Sequence, residues 1–222
     1  KVLGLRHQDN GQLAARFERE ARLLAALDHP HVVRLYDAGV DERGLVWLSL
    51  ELLEGPSLRT VLRTQRGALA VDRALSIARQ IADATAEAHG IGAIHRDLKP
   101  ENVILLSGDL VKVLDFGVAK FYGWGLRATS ADVRLGTALY MAPEQIEGAE
   151  LDARTDVYAL CSILYEMLSG RHPLRQDDGS LPAKELAVLM QLSKTPPPLS
   201  SLVPGLPAEI SELVDQGLLK SP

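Results

Sequence analysis

Apolar and polar positions follow two rhythms along this chain, and the change falls near residue 56. Before it, short aliphatic runs of strand character surround one helical stretch. Residues 1–5, 32–36 and 45–50 read as strands, with the turn residues 41–44 between the last two. Residues 11–27 have helical periodicity: at about 100° per residue, Leu13, Phe17, Leu24 and Leu27 fall on one stripe. Glu20 sits in the middle of that stripe. A carboxylate on an apolar face is costly to bury unless a cation meets it, so Glu20 asks for one from elsewhere; at a solvated edge it is an ordinary surface acid. Pro30 disfavours helix at His29 and ends the element. His29 and His31 have no Cys or further His nearby and read as turn residues rather than metal ligands.

Beyond residue 56 helical spacing dominates. Ser57 is placed to cap a helix carrying Leu58, Val61 and Leu62, and Asp72 to cap a longer one whose apolar face includes Leu75, Ala78, Ile81 and Thr85, with Gly90 as its stop. Residues 152–168 form a strongly apolar helix stopped by Gly170, with Asp156 in its first turn suiting the helix dipole. Residues 183–192 and 207–219 complete a helical half, with Pro207 at the first position of the last helix and a proline-rich surface connection at 195–198 before it. One pair of short strands interrupts this half: residues 103–106 and 111–114 read as a hairpin turned at Gly108 and Asp109. A hairpin brings its outer ends together, so Asn102 and Asp115 become neighbours with Asp97 a short loop away. Two oxygen ligands at strand ends suit a hard cation such as Mg2+.

Composition narrows the classes. The chain has 222 residues, is 46% hydrophobic and carries a net charge of −5, which suits one globular unit or two small lobes and gives no basic footprint for nucleic acid or anionic membrane. The single cysteine, Cys161, excludes an internal disulfide and suits a reducing compartment. No run approaches the roughly 18–20 apolar residues of a membrane span, and no signal peptide or internal repeat is visible. The first residues already have strand character and the last follow directly on a helical pattern, so the chain is expected to be a segment of a longer protein, cut at both ends.

Residues 95–102, HRDLKPEN, with the following Asp115-Phe116-Gly117 and Ala142-Pro143-Glu144, closely resemble the catalytic loop, metal-binding motif and segment end of the eukaryotic-type (Hanks-type) bacterial serine/threonine protein kinases. The resemblance implies an α+β, two-lobed protein-kinase-like fold. Residues 1–50 would be a partial β-sheet lobe with helix C, 51–55 the hinge, and 56–222 a mainly helical lobe lacking its C-terminal end. It implies that Asp97 accepts the substrate hydroxyl proton, Lys99 neutralises the transferring phosphoryl group, and Asn102 and Asp115 hold Mg2+ (or Mn2+) against ATP. Lys1 and Glu20 would be the phosphate-binding lysine and its helix C partner. The main chain of Glu51 and Leu53 would meet adenine, with Leu50 behind the pocket. Arg96 would take an activation-segment phosphate, or an ordinary surface ion pair; Thr129, then Ser130, are the phosphorylation candidates. Thr137 would contact Asp97 and Lys99 from the substrate side. Asp156 would brace the catalytic loop, and Glu144 would pair with an arginine near the C-terminal end of the family's domain, a counterpart expected to lie past Pro222. Cys161 stands where the family usually has glycine.

The implied function is ATP-dependent phosphorylation of serine or threonine in proteins, controlled through the activation segment. A pseudokinase scaffold is the alternative; a small-molecule phosphotransferase fits poorly with a segment ending in residues 142–144. The family's glycine-rich loop should precede Lys1, so the segment alone is expected to be weakly active or inactive. The expected setting is cytoplasmic, with no nucleic-acid or membrane contact from this segment; a membrane anchor elsewhere in the parent protein and dimerisation are left open.

Overall fold

The computed structural model describes residues 2–3, 27–41, 46–65, 67–116 and 135–221. β1 (Val2–Leu3), β2 (Leu35–Val40) and β3 (Val46–Leu50) form an antiparallel sheet in the order β1-β3-β2. The strand expected at 32–36 begins later. Residues 31–33 are instead bound to the other half of the molecule: Val113 N–H donates to the His31 carbonyl (2.8 Å) and Val33 N–H to the Val113 carbonyl (3.0 Å). On its other edge this stretch meets the β3 side only from Arg34, whose carbonyl accepts from Glu51 N–H at 2.9 Å, and β2 starts at Leu35. The expected helix over 11–27 lies outside the described residues, apart from Leu27, which is buried.

The second half is helical around one hairpin. α1 (Leu58–Gln65) is capped as expected, Ser57 Oγ accepting from Thr60 N–H at 3.2 Å. α2 (Val71–Gly90) begins after Ala70, with no side-chain cap. Asp72 lies inside its first turn, where it suits the dipole instead of capping. Gly90 is the last helical residue, and the left-handed turn falls on Gly92. β4 (Val103–Leu105) and β5 (Val111–Val113) form the expected hairpin. Then come α3 (Leu135–Ala138), α4 (Pro143–Glu147), α5 (Ala153–Ser169), α6 (Lys184–Ser193), α7 (Leu199–Leu202) and α8 (Ala208–Gly217). Pro207 precedes α8 rather than opening it.

α2 packs on α5, and both helices feed one core, with Ile77, Ile81, Ala84 and Ala88 of the first and Ile163, Met167 and Leu168 of the second all buried. Each large aliphatic side chain so buried contributes about 1.5–3 kcal/mol. α5 stops at Gly170, whose φ of 67° is left-handed and whose missing Cβ leaves room for the main chain of residues 67–68. Gly217 of α8 faces Cys161 of α5: a Cβ there would overlap the sulfur and lie 3.1 Å from the Cys161 Cβ. Bare helix backbone is thus the counterpart of a thiol in the core. Burial pushes that thiol up to about 12, consistent with an inert, space-filling role.

Gly217→Ala is therefore expected to cost about 1–3 kcal/mol through overpacking, and clearly less in a Cys161→Gly background. Urea unfolding of the four chains of this double-mutant cycle measures the coupling. A second outcome concerns His172, which is buried against Tyr140 with its Nδ1 accepting from Leu174 N–H at 3.0 Å. Burial, with Arg59 near it, lowers its pKa from 6.5 to about 3. The unfolded chain therefore takes up a proton on this side chain that the folded chain refuses. Its stabilising contribution is full above pH 6.5 and is lost as pH falls toward 3, by about 1.4 kcal/mol per pH unit. His172→Asn, which keeps an acceptor for Leu174, should flatten that part of the stability-versus-pH curve between pH 7 and 4.

Candidate active site

The loop between α2 and β4 carries a backbone that would not hold its shape alone. Arg96 has φ 66°, a left-handed conformation uncommon for a residue with a Cβ. Asp156, in the first turn of α5 and 1% exposed, holds it there. Its Oδ2 accepts from His95 N–H (2.8 Å) and its Oδ1 from Arg96 N–H (2.9 Å). His89 at the end of α2 donates from Nε2 to the same Oδ2 at 2.7 Å. Burial alone would raise the Asp156 pKa, but the His89, His95 and Arg96 donors bring it below the usual carboxylate value. His95, fully buried, donates from Nε2 to the Leu114 carbonyl (2.8 Å) and accepts from Asp97 N–H at Nδ1 (3.3 Å), which selects its Nε2–H tautomer. Its ring lies 4.7 Å from that of Phe116. The loop is thus fastened to α5 on one side and to the end of β5 on the other.

Asp97, Lys99 and Thr137 meet on this frame. Lys99 Nζ donates to both Asp97 oxygens (2.8 and 2.7 Å) and to Thr137 Oγ1 (2.8 Å). Asn102 donates from Nδ2 to the Asp97 carbonyl at 2.8 Å, leaving Oδ1 as the acceptor of that side chain. The hairpin register pairs Val103 with Val113, and Leu114 N–H donates to the Asn102 carbonyl at 2.8 Å. Asp115 follows at once, with φ 59°. Asp115 and Leu50 line one cavity together with Leu48 and Phe116.

A second polar centre lies at Arg59 of α1. Its guanidinium donates to Glu101 Oε1 (3.0 Å), to Glu166 Oε1 (2.8 Å) and to the Tyr140 hydroxyl, which itself donates to Glu166. One cation so joins the catalytic loop, α5 and the segment after Thr137. At the 51–55 connection the Glu51 carboxylate accepts from Lys112 Nζ (2.9 Å) and Arg34 N–H (3.2 Å). Burial works against it, but Lys112 and Arg34 lower its pKa. The Glu51 N–H donates to the Arg34 carbonyl at 2.9 Å.

Of the residues singled out from sequence, Asp97, Lys99, Asn102 and Thr137 share one bonded cluster, Arg96 is held beside it by its main-chain N–H to Asp156, and Asp115 follows on the hairpin that carries Asn102. Glu51 and Leu53 lie in the connection after β3. Lys1, Glu20, Thr129 and Ser130 lie outside the described residues. Glu144 accepts from Thr155 Oγ1 at 2.8 Å. Arg59, Glu166, Gln145 and Gln191 were not anticipated. Glu166 lies within the apolar run of α5, the same signal that marked Glu20, and Gln191 is a fully buried amide on α6 donating to the Leu139 carbonyl at 2.5 Å.

The whole chain, residues 1–222, matches the family model described as protein kinase domain. It is 37% identical to the serine/threonine-protein kinase PknD of Mycobacterium tuberculosis, over 100% of this chain and 32% of that protein. To the serine/threonine-protein kinase PknL of Mycobacterium bovis it is 34% identical, over 100% of this chain and 54% of that protein. The chain thus spans between a third and about half of these relatives. Among solved structures, the kinase domain of Mycobacterium tuberculosis PknI aligns at TM-score 0.69 with 28% identity, over 96% of this chain and 73% of that one. Relatives that bear kinase names do not favour the pseudokinase alternative.

Replacing Asp156 by Asn keeps one acceptor oxygen, for His89 and His95, and puts an N–H2 group against the Arg96 N–H. The expected loss is about 3 kcal/mol of stability by urea unfolding, with the fastest new amide exchange at residues 95–97.

Proposed function

This chain belongs to the protein kinase domain family, with the two-lobed α+β fold of its relatives, and from that premise we propose that the protein transfers the γ-phosphate of ATP to serine or threonine hydroxyls of protein substrates. The observation that carries the reading is the Asp97–Lys99–Thr137 contact, an acceptor and a cation held together beside a hydroxyl of the segment that ends at residues 142–144. Asp97 has the reach to orient a substrate hydroxyl and take its proton as the bond to phosphorus forms. Lys99 can move between that carboxylate and the transferring phosphoryl oxygens, where it offsets developing charge.

The donor set at the hairpin mouth fits a hard divalent ion. Asn102 has its amide N–H2 engaged and its oxygen as acceptor, and Asp115 adds a carboxylate one residue past the paired strands. Mg2+ is the ion of choice, with Mn2+ as a substitute; bound there, it would neutralise phosphate oxygens of ATP. Lys1 and Glu20 are assigned to the α- and β-phosphates, and the main chain of Glu51 and Leu53 to adenine, within a division into residues 1–50, 51–55 and 56–222. Thr129 and Ser130 are assigned as phosphorylation sites read by Arg96. Among the described residues no helix is long and apolar enough to cross a membrane; this part is assigned to the cytoplasm.

The test is transfer from labelled ATP to a Ser/Thr peptide library by the full-length protein. Asp97→Asn and Asp115→Asn should each lower kcat by about 10²–10⁴-fold with an unchanged melting temperature. Lys99→Met should lower kcat more than it raises KM for ATP. Label released only as phosphate, or carried only by small alcohols, would overturn the assignment.

A further inference from the structure

Gln145 is a buried amide on α4 that the reaction does not require by name, and its two ends serve different parts of the molecule. Oε1 accepts from Ala142 N–H at 2.9 Å, capping the start of α4. Nε2 donates to the Arg96 carbonyl at 2.7 Å. That carbonyl belongs to the peptide joining Arg96 to Asp97, and the N–H of the same peptide donates to His95 Nδ1 at 3.3 Å. Both ends of one peptide plane are thus held, its oxygen by Gln145 and its N–H by His95. The preceding peptide is held through Arg96 N–H by Asp156. Left-handed backbone at a residue with a Cβ costs about 1–3 kcal/mol and relaxes unless its surroundings forbid it. Relaxation here would rotate the plane from which Asp97 springs.

We infer that Gln145 is a positioning residue for Asp97, tying the orientation of the Arg96–Asp97 peptide to the folded state of the substrate segment. Gln145 sits at the end of that segment, after Thr137 on Lys99 and Tyr140 on Arg59. When residues 137–145 are ordered, the amide reaches Arg96; when they are not, the catalytic loop loses the donor on its outer side. The segment then acts on the rate directly, besides shaping where a peptide lies. This inference rests on the phosphotransfer reading for its kinetic part only.

The experiment uses Gln145→Glu and Gln145→Met in the full-length protein. Glu keeps the acceptor for Ala142 N–H and at pH 8 removes the donor to Arg96. Expected for Glu are a lowered melting temperature with the protein still folded at about 25 °C, kcat down about 10-fold, KM for ATP unchanged, and amide exchange at residues 95–98 at least about 5-fold faster while α2 and α5 are unchanged. Met should match that kinetic pattern with some added loss of stability. A folded Gln145→Glu protein with wild-type kcat and wild-type exchange at 95–98 would overturn the inference. So would a kcat loss that merely tracks a global rise in exchange. A wild-type protein that transfers no phosphate would sink the functional reading alone, since local exchange at 95–98 still decides the positioning.

Discussion

Everything at this site depends on one buried carboxylate accepting two consecutive backbone N–H groups. Asp156 stands in the first turn of the strongly apolar α5 and holds His95 and Arg96 by their amides. The arrangement couples two energies of different kind. Hydrophobic burial fixes α5, and α5 fixes an anion; the anion then stabilises a backbone conformation that local preferences resist. Because the donors are main-chain groups, the contact places Asp97 without dictating most side chains around it. Core packing is thereby converted into the direction of one carboxylate.

The molecule divides its polar interior along the same lines. Near the loop, carbonyls and amides are held by neutral or formally compensated groups: His95 to Leu114, Gln145 to Arg96, Gln191 to Leu139. Formal charge is concentrated where elements distant in sequence must meet, as at Arg59 with Glu101 and Glu166. Such a pair adds little net stability once desolvation is counted. Its use is register, since a guanidinium with three partners on three elements accepts only one arrangement of them.

Much of this was legible beforehand, and for definable reasons. The hairpin at 103–113 and its flanking Asn102 and Asp115 follow from strand periodicity and a turn signal, both local. The helix at 153–169 and its glycine stop are local as well. The misplaced strand at 32–36 shows the limit: its residues have strand character, and pairing chose β5 of the other lobe as their neighbour, which no periodicity encodes. Asp72 failed as a cap because the helix started one residue before it. Arg59 and Glu166 carried no readable link, being 107 residues apart and belonging to no motif themselves. Gln145 was hidden differently, since an amide beside a recognised motif looks like any polar neighbour.

The pairing of residues 31–33 with β5 has a mechanical meaning. The strand lobe is attached to the helical lobe there through main-chain bonds, and again where Glu51 grips Lys112 beside the 51–55 connection. The two attachments fall on neighbouring residues of β5, Val113 and Lys112, so a single short strand is the joint between sheet and helices. The cavity lined by Leu50 and Asp115 has Val32 and Val33 in its wall as well, and so is built into that joint.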